Sequence, residues 1–147
     1  MKRKCRIVFL APVILMLAAC ASNLESKKIP GADLSSLKSV YVQKLAADGR
    51  GIDLLIANQL TRMGFIAANG ASDLPPSPVD AIVTYQDKWM WDITMYMLQL
   101  SVQIRDGQTR MVLATGQAMH TSLVRKIPEE MVEEVLIEFW FFSSPSG

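Results

Sequence analysis

The chain reads as an α+β two-layer sandwich: a mixed, mostly antiparallel sheet with two helices on one face, in the order β-α-β-β-β-β-α. Two observations predict the helices. Apolar side chains recur at helical spacing in residues 52–63 and again in residues 128–140. A third predicts the sheet. Residues 96–105 alternate between apolar and more polar side chains, as a strand with one buried face does.

The elements follow in order. LKSVYVQK, residues 37–44, places Val40 and Val42 between Tyr41 and Gln43 and predicts a first strand. GIDLLIANQLTRMGF puts Ile52, Leu55, Ile56, Leu60 and Met63 on one helix face, with Gly64 where a helix end favours glycine. Residues 65–68 predict a second strand, so the start of the domain is a β-α-β unit. NGASDLPPSP is a loop, because its prolines cannot sit inside a central strand. VDAIVTYQD predicts a third strand. In the fourth, Tyr96, Leu98, Leu100, Val102 and Ile104 share one face and Met97, Gln99, Ser101, Gln103 and Arg105 the other. Asp106-Gly107 begins a turn that extends through Gln108 and Thr109. Residues 111–119 return as a fifth strand, whose Val112, Ala114, Gly116 and Ala118 make a small-residue face for a helix to approach. IPEEMVEEVLIEFWFF predicts the last helix, with Pro128 in its first turn and Glu129 and Glu130 at the positive end of its dipole. Its other acidic residues are expected on a solvated face.

The N-terminus carries an export signal. Lys2, Arg3, Lys4 and Arg6 precede a ten-residue apolar run, residues 7–16. That run is too short for a bilayer core, which takes about 20 residues. A basic start, a short apolar stretch and small residues make a secretory signal peptide. Leu17-Ala18-Ala19-Cys20 resembles the lipobox of bacterial lipoproteins. The resemblance implies cleavage after residue 19 and covalent lipid on Cys20. Several acyl chains give stable anchoring, at about 0.8 kcal/mol per buried methylene. Ala21 is not the Asp that retains such proteins in the inner membrane, which implies the outer membrane, facing the periplasm. The expected organisation is a signal peptide at 1–19, a lipidated N-terminus and tether at 20–36, one domain at 37–142 and a loose tail at 143–147. Fully extended, the tether would reach roughly 50 Å.

Composition narrows the chemistry. The signal peptide removes four of fifteen Lys and Arg, leaving eleven against fourteen Asp and Glu, a net charge of −3 on the mature chain. Nucleic-acid binding needs a basic patch, so none is expected. Cys5 leaves with the signal and Cys20 takes lipid, so no Cys is left for a disulfide, a thiol nucleophile or zinc. No cofactor or metal is expected beyond the lipid. His120 is the only His, expected at a surface or sheet edge. No G-x-S-x-G elbow, P-loop or G-x-G-x-x-G occurs.

One stretch stands out. YQDKWMWDITMYM, residues 85–97, holds two of three Trp and three of nine Met. Continued alternation would put Tyr85, Asp87, Trp89 and Trp91 on one face and Lys88, Met90 and Asp92 on the other. The pair of Trp either caps the core or forms a contact surface, since Trp and Tyr anchor interfaces and Met adapts to varied partners. A belt at headgroup depth is a further use of such Trp. Tyr85, Trp89, Met90, Trp91 and Tyr96 are the candidate partner-binding residues.

By lipobox, size and element order the chain resembles small α/β outer-membrane lipoproteins of uncharacterised families. Its architecture resembles the lipopolysaccharide-assembly lipoprotein and the N-terminal domain of TolB. The resemblance implies a non-enzymatic lipoprotein that binds an envelope protein in assembly or transport. The alternatives are an envelope hydrolase using Asp87, Asp92 or His120, and a structural or stress lipoprotein without a fixed partner.

Overall fold

The computed structural model describes residues 22–142. The expected signal peptide, the expected lipid site at Cys20 and the expected tail 143–147 lie outside the described residues. The elements are β1 (Ser22–Lys28), β2 (Ser39–Gln43), α1 (Ile52–Arg62), β3 (Ile66–Gly70), β4 (Ala81–Asp92), β5 (Thr94–Asp106), β6 (Val112–His120), a 3₁₀ turn (Ser122–Val124), α2 (Pro128–Ile137) and a π turn (Glu138–Phe142). The six strands form one sheet in the order β1-β6-β5-β4-β2-β3. β2 runs parallel to β3 and β4, and all other pairs are antiparallel. The core joins the helices to one sheet face, so the predicted two-layer α+β arrangement is the observed one.

β1 is a correction. The segment expected as a tether pairs along its first seven described residues with β6, from Ser22 opposite His120 to Lys28 opposite Ala114. Beyond it, Ile29 N–H donates to the Leu113 carbonyl and Leu34 is buried in the core. Ser-Asn-Leu-Glu-Ser-Lys-Lys has no apolar alternation, because an edge strand buries little and is held by its backbone.

α1 buries Ile52, Ile56, Ala57 and Leu60, and Gly64 beyond it takes φ +99°. α2 starts at Pro128 and buries Met131, Val132, Val135 and Leu136. The π turn then carries Phe139 into the core and sets Trp140 against Phe65, ring centroids 4.9 Å apart. The small-residue face of β6 receives this end. A Cβ on Gly116 would lie 2.7 Å from the Phe139 ring, so glycine is what lets the ring rest on the sheet.

The alternation expected in the fourth strand breaks at a bulge. Lys88 pairs with Gln99 but Trp89 pairs with Met97, which leaves Leu98 as an extra residue on β5. Leu100, Val102 and Ile104 are buried as expected. Before the bulge the phase flips, so Met97 is buried while Tyr96 and Leu98 are only partly so.

Gly116→Ala is expected to destabilise the fold by about 1–3 kcal/mol through overpacking against Phe139. Urea unfolding of the variant beside the parent measures it.

Candidate functional site

The stretch 85–97 does three different jobs along its length. β4 keeps its alternation, so Tyr85, Asp87, Trp89 and Trp91 do share the helix-side face. Their cross-strand partners there are Val102, Leu100, Met97 and Met95. What changes is cover. Tyr85 lies under the helices, Trp89 at their margin, and Trp91 beyond them.

Tyr85 is 3% exposed. Its hydroxyl donates to Asp48 Oδ2 at 2.7 Å and accepts from Leu45 N–H at 3.1 Å. Asp48, itself buried, also accepts the backbone N–H groups of Arg50, Gly51, Ile52 and Asp53, the opening turn of α1. Burial alone would raise the Asp48 carboxyl; the Tyr85 hydroxyl and the amides of Arg50, Asp53 and Ile52 outweigh it and hold it below the usual range. Burial and the Asp48 acceptor push the Tyr85 hydroxyl far up. Tyr85 is thus an internal brace, removed from the expected partner surface.

Trp89 is half-buried. The Arg50 guanidinium lies 4.1 Å from its ring centroid, and its indole N–H donates to Asp87 Oδ2 at 2.5 Å. It caps the core edge.

Beyond Lys88 and Gln99, β4 and β5 continue alone for four further pairs, past the end of β6. This ribbon exposes Met90, Trp91, Ile93 and Met95, with Trp91 70% and Ile93 86% exposed. Ile93 turns the hairpin at φ +62°. A left-handed backbone costs a residue with a Cβ about 1–2 kcal/mol, and more for one that is β-branched. Tyr96, the last candidate, is partly buried beneath Arg125, whose guanidinium lies 4.8 Å from the ring centroid. Arg125 also donates to Thr94 Oγ1 at 2.8 Å and to the Asp92 and Ser122 carbonyls. It thereby ties the 3₁₀ turn, with Leu123 90% exposed, to the hairpin tip.

The hydrolase candidates are scattered. Asp87 and Asp92 lie five residues apart on one extended strand, about 17 Å, and on opposite faces. Glycoside-cleaving carboxylates sit about 5–10 Å apart. His120 corrects the expectation of a surface residue: it is 5% exposed, with Nε2 2.7 Å from Glu134 Oε2, and its Nδ1 makes no hydrogen bond among the described residues. Lys126 contacts the other Glu134 oxygen. Burial raises the Glu134 carboxyl, but Lys126 and His120 more than offset it and hold it low. So this member of the acidic face is an ion-pair centre under the end of β6. Among the described residues no group of three His, Cys, Asp or Glu is placed to hold a metal ion.

A second surface is the sheet face away from the helices. The row Gln86, Ser101, Gln117 and Glu25 crosses four strands. Gln43, Gln99 and Gln103 extend it, so five of the chain's seven Gln share this face. Gln99 Nε2 donates to Ser101 Oγ and to Gln117 Oε1, both at 3.0 Å, and Arg105 donates to Gln103 Oε1 at 2.6 Å. Two depressions lie over these rows, of about 700 and 450 Å³. The end near β2 is covered, where Tyr41 donates to the Ser72 carbonyl and Arg110 to the Asp73 carbonyl. The signal in the sequence was the Gln-x-Ser-x-Gln alternation at residues 99–103.

No protein-family model matches the chain, and no curated protein does. Solved structures resemble it in fold. The PelC dodecamer from Paraburkholderia phytofirmans aligns at TM-score 0.59 with 11% identity, over 78% of this chain and 95% of that one. A PDZ domain protein from Parabacteroides distasonis aligns at 0.54 with 11% identity, over 86% of this chain and 36% of that one. TolB from Acinetobacter baumannii aligns at 0.46 with 16% identity, over 80% and 30%. At these identities the likeness is one of fold.

Asp48→Asn is expected to lower stability at neutral pH by about 1.5–3 kcal/mol, the worth of charge-assisted hydrogen bonds. Because the folded carboxyl titrates low, this contribution is complete above the ordinary Asp range near pH 4 and is lost as pH falls through the lowered value. Denaturant unfolding at pH 7 and at pH 3 should therefore show the variant's deficit shrinking in acid.

Proposed function

We propose that this chain is a lipid-anchored protein of the cell envelope that holds a partner and does not catalyse a reaction. The lipobox ending at Cys20, followed by Ala21, supports an outer-membrane anchor facing the periplasm. The separation of Asp87 from Asp92, and the engagement of His120 with Glu134, support binding over hydrolysis.

The observation that carries the binding role is the open sheet face. Sheet faces left to water usually carry charges. Here the middle of the face is amide and hydroxyl: Gln86, Gln99, Gln103 and Gln117 around Ser101. Each amide offers donors and an acceptor with no charge to desolvate. Covering them therefore costs less than covering Lys or Glu, provided the partner returns the hydrogen bonds. A neutral, hydrogen-bond-rich surface of an envelope protein fits that chemistry.

A second reading concerns self-assembly. β3 is a sheet edge without a charge or proline, Ile-Ala-Ala-Asn-Gly, and Ile66 is 77% exposed. Such an edge is open to strand addition. The PelC structure of like fold is a dodecamer, which is in keeping with self-assembly, and the open edge is where a further copy of this chain would add.

Two experiments separate these. A photo-crosslinking residue at Gln103 in living cells is expected to give one discrete protein adduct that Ser101→Arg abolishes. Met111, at the far end of the sheet, serves as the control position. Adducts at Met111 but none at Gln103 would remove the open face from consideration. For self-assembly, native mass spectrometry of the detergent-solubilised protein is expected to show oligomers that Ala68→Lys reduces to monomers; a parent already monomeric would exclude the edge.

A further inference from the structure

The N-terminal strand and the outlying hairpin end on the same side of the sheet. Asn23 lies level with Met119, Met119 with Gln99, and Gln99 with Lys88. Ser22 is one residue further toward the hairpin. From that level β5 runs on to Ile93, about 13 Å at the usual strand rise once the bulge is allowed for. Cys20 is two residues before Ser22, so its Cα lies no more than about 7 Å from it. Even a fully extended Cys20 stops several ångström short of the hairpin tip.

A lipid on Cys20 places the membrane surface at this end of the molecule. The acylated cysteine sits at the border of headgroups and acyl chains, and the tip reaches beyond it. That is the depth at which interfacial apolar groups sit, about 5–10 Å into the boundary. What the tip presents is suited to it. Met90, Trp91, Ile93, Met95, Leu123 and Val124 account for six of the fourteen large apolar side chains exposed among the described residues. Trp favours headgroup depth. Ile93 is exposed and also held in a left-handed backbone that Gly or Asn would adopt with less strain, two costs that folding alone does not require. Arg125 fixes the tip to the 3₁₀ turn, so the apolar groups, drawn from both faces of the ribbon, gather at one end of the molecule.

We propose that the hairpin tip is a second membrane contact, inserted into the leaflet that holds the Cys20 lipid. The inference rests on the lipoprotein reading above. It replaces a domain swinging on a long tether with one seated on the bilayer at two points.

The test uses the mature protein in vesicles of phosphatidylethanolamine and phosphatidylglycerol. Intact mass first shows whether Cys20 carries lipid. Tryptophan emission is then compared between the parent and Trp91→Phe, a change at an exposed position. Phosphatidylcholine brominated high on its acyl chains is included as quencher. The expected result is quenching, by the brominated lipid, of the emission that Trp91→Phe lacks, with loss of that quenching in Ile93→Asp. A lipidated protein whose Trp91 emission is quenched by aqueous iodide and not by brominated lipid would overturn the proposal and leave the tip as a protein contact. An unlipidated Cys20 would overturn it through the anchor.

Discussion

The Asp48 carboxylate holds two layers of the fold at one point. It accepts four consecutive amides that open α1, donors a helix start otherwise leaves unpaired, and it accepts the Tyr85 hydroxyl from the middle of the sheet. Gly51 supplies no side-chain cap, so Asp48 takes that role from three residues upstream. Tyr85 then passes the connection to Leu45 N–H. This loop carries Arg50 to the face of Trp89. A buried charge is tolerable only when it is this fully hydrogen-bonded, so the parts that meet at Asp48 have little freedom to move independently.

The hairpin depends on that fixed base. Two strands alone in water are marginally stable, and the ribbon beyond Gln99 has no third strand. It is braced twice. At its root, Trp89 is clamped between Arg50 and Asp87. Near its tip, Arg125 bonds Thr94 and the Asp92 carbonyl and covers Tyr96. The Leu98 bulge between these braces twists the ribbon and brings Met97, not Leu98, into the core. The Trp pair therefore divides: Trp89 caps the core, and Trp91 stands exposed.

Helices and central strands were legible because they bury what their periodicity displays. The stripes of α1 and α2 follow directly from spacing, and so does the small face of β6 at Ala114, Gly116 and Ala118; the expected Val112 is turned to the Arg105 side by a second bulge, and Leu113 packs on the core in its place. The misses share a cause, which is that the deciding partner is distant in sequence. β1 is polar because edge strands need little burial, and nothing local shows that β6 awaits it. The extra residue at Leu98 leaves the local pattern intact and surfaces only in the pairing with Trp89. His120 looks like a strand-end residue until α2 brings Glu134 over it, with Lys126 from the segment before the helix on the other Glu134 oxygen. Tyr85 reads as part of an aromatic cluster, whereas its hydroxyl answers to a carboxylate 37 residues earlier. The open Gln face was visible as the wetter side of one strand; its continuity across four strands came from register alone.

The two surfaces constrain each other through the direction of the strands. β1 and the β4–β5 ribbon reach the same end of the sheet, so a membrane there meets the strands end-on. The open face would then stand upright from the bilayer and not against it. Under the proposed anchor its Gln rows would stay available to a partner in the adjoining space, and the far turn, from Asp106 to Met111, would point away from the bilayer. With a loose tether in place of β1, the proposed lipid would set no orientation at all. Strand pairing from Ser22 onward, close behind the proposed anchor, is what would give the domain a defined pose, and pose is what the proposed presentation of one binding face to a neighbour requires.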